Sequence, residues 1–174
     1  AELAALRAAG LDRIHIGMES GSDEVLALIS KGVTADRQIE AGRKVKAAGM
    51  ELSMYMMPGI GGRALSHAHA VESARVLCAA GPDFIRLRTV AVLPGLPLHA
   101  LQQAGSFVKL ADDEIVAEIR LFVERLEGVR ARIVSDHILN LLEEVEGDLP
   151  GDRGRILALI DRYLALPARD RVAD

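Results

Sequence analysis

Three times along the chain, a helical spacing of apolar residues runs into Ala-Ala-Gly and then into a short apolar stretch. The three sites are Ala8-Ala9-Gly10 before Arg13 to Met18, Ala47-Ala48-Gly49 before Glu51 to Met57, and Ala79-Ala80-Gly81 before Asp83 to Val90. A helix that stops in the left-handed conformation costs a Cβ-bearing residue energy and glycine almost none, so each glycine predicts a helix end. The spacing between the three leaves room for one helix, one strand and two loops. It predicts a repeated βα unit and a parallel sheet.

The helices between these points carry their own start signals. Ser22 is placed to cap a helix with Asp23 and Glu24 in its first turn, Val25, Leu28 and Ile29 on one face, and Gly32 past its end. Thr34 is placed to cap the next. Ile115, Ile119, Phe122, Val123 and Leu126 recur at helical spacing before Gly128, predicting an amphipathic helix over 112–127. A fourth strand is expected over 132–135 and further helices over 137–145 and 152–166. The fold class expected is therefore α/β, with parallel βα repeats and a helical C-terminal segment. A single domain is expected over 1–174, with core βα units over 1–110 and the helical extension over 111–174.

Strand alternation sorts the side chains into two faces. Ile14, Ile16 and Met18 oppose His15, Gly17 and Glu19; Leu52, Met54 and Met56 oppose Ser53, Tyr55 and Met57; Ile85 and Leu87 oppose Phe84, Arg86 and Arg88. Polar residues on one face of three consecutive strands are costly to bury unless that face lines a ligand cavity or a paired network. In a βα barrel the interior near the strand C-termini is where a site forms. The competing reading is that Glu19 and the two arginines form buried ion pairs with no ligand. His15, near the strand start, reads as a satisfied structural imidazole.

Composition narrows the classes. Half of the 174 residues are hydrophobic and 26% are charged, which suits one sizeable core. A net charge of −4 and an aromatic content of 3% argue against direct contact with nucleic acid, which needs a basic surface and stacking rings. No apolar run reaches membrane-spanning length, so a cytoplasmic protein is expected. Cys78 is the only cysteine, which excludes an intramolecular disulfide and any site built from several local thiolates.

Two small-residue loops follow strands directly, Glu19-Ser20-Gly21-Ser22 and Pro58-Gly59-Ile60-Gly61-Gly62. Such loops let a backbone approach a ligand, and a following helix N-terminus offers free N–H groups; simple turn chemistry is the competing explanation. His67 and His69, two apart on an expected helix, make a poor metal pair and read as surface residues. Asp136 before His137 reads as a helix cap. Cys78, beside Leu77, reads as a small buried hydrophobe.

The run Ile14-His15-Ile16-Gly17-Met18-Glu19-Ser20-Gly21-Ser22-Asp23-Glu24-Val25-Leu26, followed by Lys31-Gly32 and by Met57-Pro58-Gly59-Ile60-Gly61-Gly62, resembles the fourth and fifth βα units of the radical S-adenosylmethionine (radical SAM) enzymes. Phe84 to Pro94 with Pro97-Leu98 resembles the sixth strand and its exit. The resemblance covers residues 1–110 and implies that the parallel βα repeats form part of a TIM-type (partial) barrel. It implies reductive cleavage of S-adenosylmethionine by a 4Fe–4S cluster, giving a 5′-deoxyadenosyl radical that abstracts a substrate hydrogen. It further implies that Glu19 and Ser20 contact the ribose or the methionine amino group, that Lys31 pairs with the methionine carboxylate, and that Ser53 reaches the ribose region. The 58–62 loop with Gly59 and Gly61 would back the adenine, and Arg88 would reach the carboxylate or the substrate. For Lys31 a plain role against the helix dipole competes.

The family holds its cluster with three cysteines spaced C-x3-C-x2-C after its first strand, a motif this sequence lacks. The expectation is therefore the C-terminal part of such an enzyme, inactive alone, with cofactor and substrate as small-molecule partners. Two other readings stand beside it: a different barrel-type enzyme with a phosphate-binding glycine-rich loop, and a non-catalytic interaction domain. The edge of the first strand is expected to be unpaired, which predicts self-association through it or cover from the chain's own C-terminal segment.

Overall fold

The computed structural model describes residues 2–167. After α1 (Glu2–Ala8) the chain enters β1 (Arg13–Glu19), α2 (Asp23–Leu28), α3 (Ala35–Ala47), β2 (Glu51–Met56), α4 (Gly62–Ala80) and β3 (Phe84–Leu87). It continues through α5 (Pro97–Gln103), α6 (Asp112–Arg125), β4 (Arg132–Val134), β5 (Gly147–Asp148) and α7 (Arg153–Ala165). The sheet order is β1-β2-β3-β4-β5; the first three pairings are parallel and β4 pairs antiparallel with β5. The sheet does not close, as in the partial barrel expected.

The glycine stops behave as their position requires: Gly10, Gly49 and Gly81 have φ of 99°, 73° and 65°. Ser22 Oγ accepts from Val25 N at 3.5 Å and Thr34 Oγ1 from Arg37 N at 3.4 Å, so both expected caps are in place. The core lies on the sheet face bearing Met18, Leu52, Met54, Met56, Ile85, Leu87 and Ile133, against α3, α4, α6 and α7. Ile14 and Ile16 pack against it from the edge strand. Among the described residues, no helix is long and apolar enough to cross a membrane.

The C-terminal third corrects one expectation and extends another. Residues 137–145 form turns rather than a helix, while the fourth strand expected over 132–135 is present as β4 and is followed by the short β5. Asn140 explains the first. Its Oδ1 accepts from Thr89 N and Thr89 Oγ1, both at 3.0 Å, while its Nδ2 donates to the Leu87 carbonyl at 3.0 Å and to Ser135 Oγ at 3.1 Å. Ser135 Oγ in turn donates to the Leu142 carbonyl at 2.8 Å. Side chains that bond backbone this way compete with helix formation and pin the segment over the end of β3. Of the two outcomes expected at the β1 edge, cover by the C-terminal segment is not found among the described residues: β5 and α7 lie toward the opposite edge, and nothing described pairs with the outer side of β1.

Candidate functional site

The end of β1 is irregular. Its register against β2 slips between Gly17 and Glu19, and Glu19 has φ of 61°, a left-handed conformation uncommon for a residue with a Cβ. Ser20 N–H reaches back across it to the Met18 carbonyl at 2.8 Å, closing a three-residue turn. The Glu19 carboxylate is thereby placed against Lys31, with Nζ to Oε1 at 3.2 Å. A Cβ on Gly17 would lie 2.6 Å from Glu19 Oε1 and 3.4 Å from Lys31 Nζ, so the pair rests directly over that glycine. The two charged residues of the β1 motif thus meet at the C-terminal end of the sheet.

Beside them a cleft of 540 Å³ opens over the ends of β2 and β3. Ile29, Met57, Ile60, Val90 and Leu98 form its apolar wall, with Ser30, Thr89 and His137 as polar members and Arg88 among its lining residues. Arg88 is exposed, lies 5.2 Å from the centroid of the Tyr55 ring, and pairs with no carboxylate among the described residues. In the 58–62 loop, Gly59 has φ of 83° and gives its N–H to Glu118 Oε1 at 2.7 Å, while Gly61 caps α4.

Below the cleft the uncovered face carries His15, Tyr55, Arg86 and Arg13. Tyr55 Oη lies 3.4 Å from His15 Nδ1, Arg86 pairs with Asp136, and the Arg13 guanidinium sits 4.2 Å over the Phe84 ring. His15 is therefore exposed, not the deep structural imidazole expected, and Asp136 serves an ion pair rather than a helix cap. Ser53, in register between His15 and Phe84, is fully buried and its Oγ has no hydrogen-bond partner.

Ser20 points elsewhere. Its hydroxyl is buried against His69 Nδ1 at 2.9 Å, and His69, expected at the surface, is completely enclosed. Burial pulls the His69 imidazole down to about 4 and pushes the Glu118 carboxyl up to about 7, against weaker opposing hydrogen bonds. Sequence reasoning missed Glu118 entirely. Of the residues expected to hold a cofactor, Glu19 and Lys31 come together and Arg88 lines the cleft. The Ser20 and Ser53 side chains are turned inward or covered.

The family model of the radical SAM superfamily matches residues 1–74. The match takes in β1, α2, α3, β2 and the first part of α4, so these elements are similar to the radical SAM superfamily. It is 23% identical over 111 residues to a tRNA uridine(34) acetyltransferase of Methanocaldococcus infernus and 21% identical over 112 residues to that of Methanocaldococcus jannaschii. Those alignments cover 63% and 62% of this chain but only 21% and 20% of the relatives. Its fold matches the Elp3 of Methanocaldococcus infernus lacking residues 1–46, with a TM-score of 0.66 at 20% identity, over 94% of this chain and 38% of that one. It also matches methylornithine synthase (PylB), with a TM-score of 0.52 at 19% identity, over 96% of this chain and 55% of that one.

Radical SAM enzymes use S-adenosylmethionine and a 4Fe–4S cluster, and the two fit this chain differently. The cleft offers an apolar wall for a purine, a free guanidinium, and an adjacent carboxylate–ammonium pair, a donor set that suits a nucleoside carrying an amino acid. The cluster does not fit. Cys78 sits in the last turn of α4, where the chain enters β3 and therefore at the opposite end of the sheet from the cleft. It is half-buried, its Sγ is 3.9 Å from the Arg125 carbonyl, and burial raises its thiol pKa, disfavouring the thiolate that iron requires. Among the described residues no group of three His, Cys, Asp or Glu side chains is gathered to hold a metal.

Proposed function

We propose that this chain provides the S-adenosylmethionine-holding strand ends of a radical SAM enzyme whose cluster ligands come from outside these 174 residues. The observation that carries the reading is the Glu19–Lys31 pair over Gly17, set next to a cleft lined by Arg88 at the C-terminal ends of parallel strands. In this superfamily S-adenosylmethionine supplies radical hydrogen abstraction from a substrate.

The chain's own residues bind and orient. Lys31 and Arg88 offer cations to a carboxylate, Glu19 accepts from an amino group or a ribose hydroxyl, and Ile29, Met57, Ile60 and Val90 exclude water from a purine face. Ser20 and the Gly59 N–H act from within the protein by fixing the two loops. Ser53, with its unpartnered hydroxyl, reaches a ligand only when the side chains covering it move aside. The relatives are named for acetylation of a tRNA uridine; the charge and aromatic content of this chain favour a role in holding cofactor over gripping the tRNA itself.

Calorimetry with S-adenosylmethionine tests the proposal. A charge-assisted contact is worth about 1.5–3 kcal/mol, so Lys31→Ala and Arg88→Ala each weaken binding about tenfold or more. Arg75→Ala, on the groove between α3 and α4, leaves it unchanged. Equal affinities across all three variants and the parent would sink the proposal.

A further inference from the structure

A buried run of polar groups joins the two loops from beneath. Ser22 N–H donates to Ser20 Oγ at 3.0 Å, so the Ser20 hydroxyl is free to donate to His69 Nδ1 at 2.9 Å. Gly21 N–H donates to Ser73 Oγ at 2.9 Å, and that hydroxyl lies 3.4 Å from the same nitrogen. A ring nitrogen that accepts from hydroxyls carries no proton, which places the imidazole proton on Nε2. On that side, at 3.8 Å, lies Glu118 Oε1. Oε1 also accepts the Gly59 N–H at 2.7 Å, and Ser66 faces the same carboxyl. Both side chains are wholly enclosed, and His69 Nε2 and Glu118 Oε2 have no hydrogen-bond partner.

We propose that His69 and Glu118 are positioning residues that couple the turn after β1 to the loop after β2, and that the proton on Glu118 sets how firmly the 58–62 loop is held. The groups facing Glu118 are His69 and Ser66 from α4 and the Gly59 backbone N–H from the 58–62 loop. The nearest ion pair on the same two helices, Arg63–Glu114, is exposed and internally neutral, and Arg120 turns to Asp161 on α7. No cation therefore holds Glu118 ionised. It exchanges its proton near neutrality, at about 7, while His69, at about 4, stays neutral. Rising pH converts a neutral acceptor for the Gly59 N–H into a carboxylate, which makes the stronger hydrogen bond. The 58–62 loop is held more firmly above the transition than below it.

The consequence for ligand affinity rests on the cofactor reading above; the coupling itself does not. The test follows the assigned Gly59 amide of the whole chain by NMR between about pH 5 and about pH 9. The Gly59 proton moves downfield with a midpoint near neutrality in the parent. In Glu118→Gln, whose amide oxygen still accepts the bond, it stays hydrogen-bonded and flat. A flat response in the parent overturns the proposal, and that arm stands even if the variant does not fold. A response that survives unchanged in Glu118→Gln also overturns it. S-adenosylmethionine binding that strengthens severalfold across the same range in the parent, and not in Glu118→Gln, shows the coupling reaching the ligand. A titrating Gly59 with no S-adenosylmethionine binding leaves the coupling standing and removes the cofactor reading alone.

Discussion

Gly17 has no room for a side chain because the Glu19–Lys31 pair lies across it. A methyl group there meets the carboxylate oxygen at 2.6 Å, the far end of a flexible side chain that yields by swinging away. Gly17→Ala therefore changes stability by less than about 1 kcal/mol while weakening S-adenosylmethionine binding severalfold. Gly21→Ala is the contrast, since its Cβ falls 2.3 Å from the Glu72 backbone carbonyl and loses about 1–3 kcal/mol or more. Urea unfolding and calorimetry read the two effects separately; a large stability loss in Gly17→Ala would contradict the placement of the pair. The residues missed by sequence reasoning were missed for a definable reason. Periodicity marks apolar positions, so a lone His and a lone Glu on two helices look solvated. The available signal was their phase: Glu118 falls within the stripe of Ile115, Ile119 and Phe122, and His69 shares its face with Ser73, Val76 and Ala80, all buried. Polar residues on an apolar stripe mark a buried network, and their pairing across helices is visible only in the fold.

At the level of elements, the glycine-ended βα repeats were legible because each helix stop, strand alternation and cap agreed. The 132–135 strand was legible too. The 137–145 segment was not, because its apolar spacing suggested a helix while Asn140 and Ser135 bind the backbone of β3 and of the segment itself. β5, two residues long, leaves no periodic trace. The edge strand carries the consequence of the open sheet. β1 presents unpaired backbone groups among the described residues, and α7 packs on α6, away from that edge. An unprotected edge recruits a further strand, so the isolated chain is expected to self-associate through β1. Sedimentation equilibrium would give twice the 18.7 kDa chain mass. A monomer with rapidly exchanging β1 amides would contradict it.

Across the whole molecule, helices pack on one face of an open sheet and leave the other face polar and uncovered. The strand C-termini meet that uncovered face at the cleft, and both motif loops converge there. The central claim is that this end of the sheet holds S-adenosylmethionine. Its most direct test is a titration of the isotope-labelled chain with millimolar S-adenosylmethionine, followed amide by amide. The account predicts that the shifts concentrate at 19–22, 29–31, 57–62 and 88–91. Unmoved amides throughout, or shifts confined to the outer groove between α3 and α4, would contradict it.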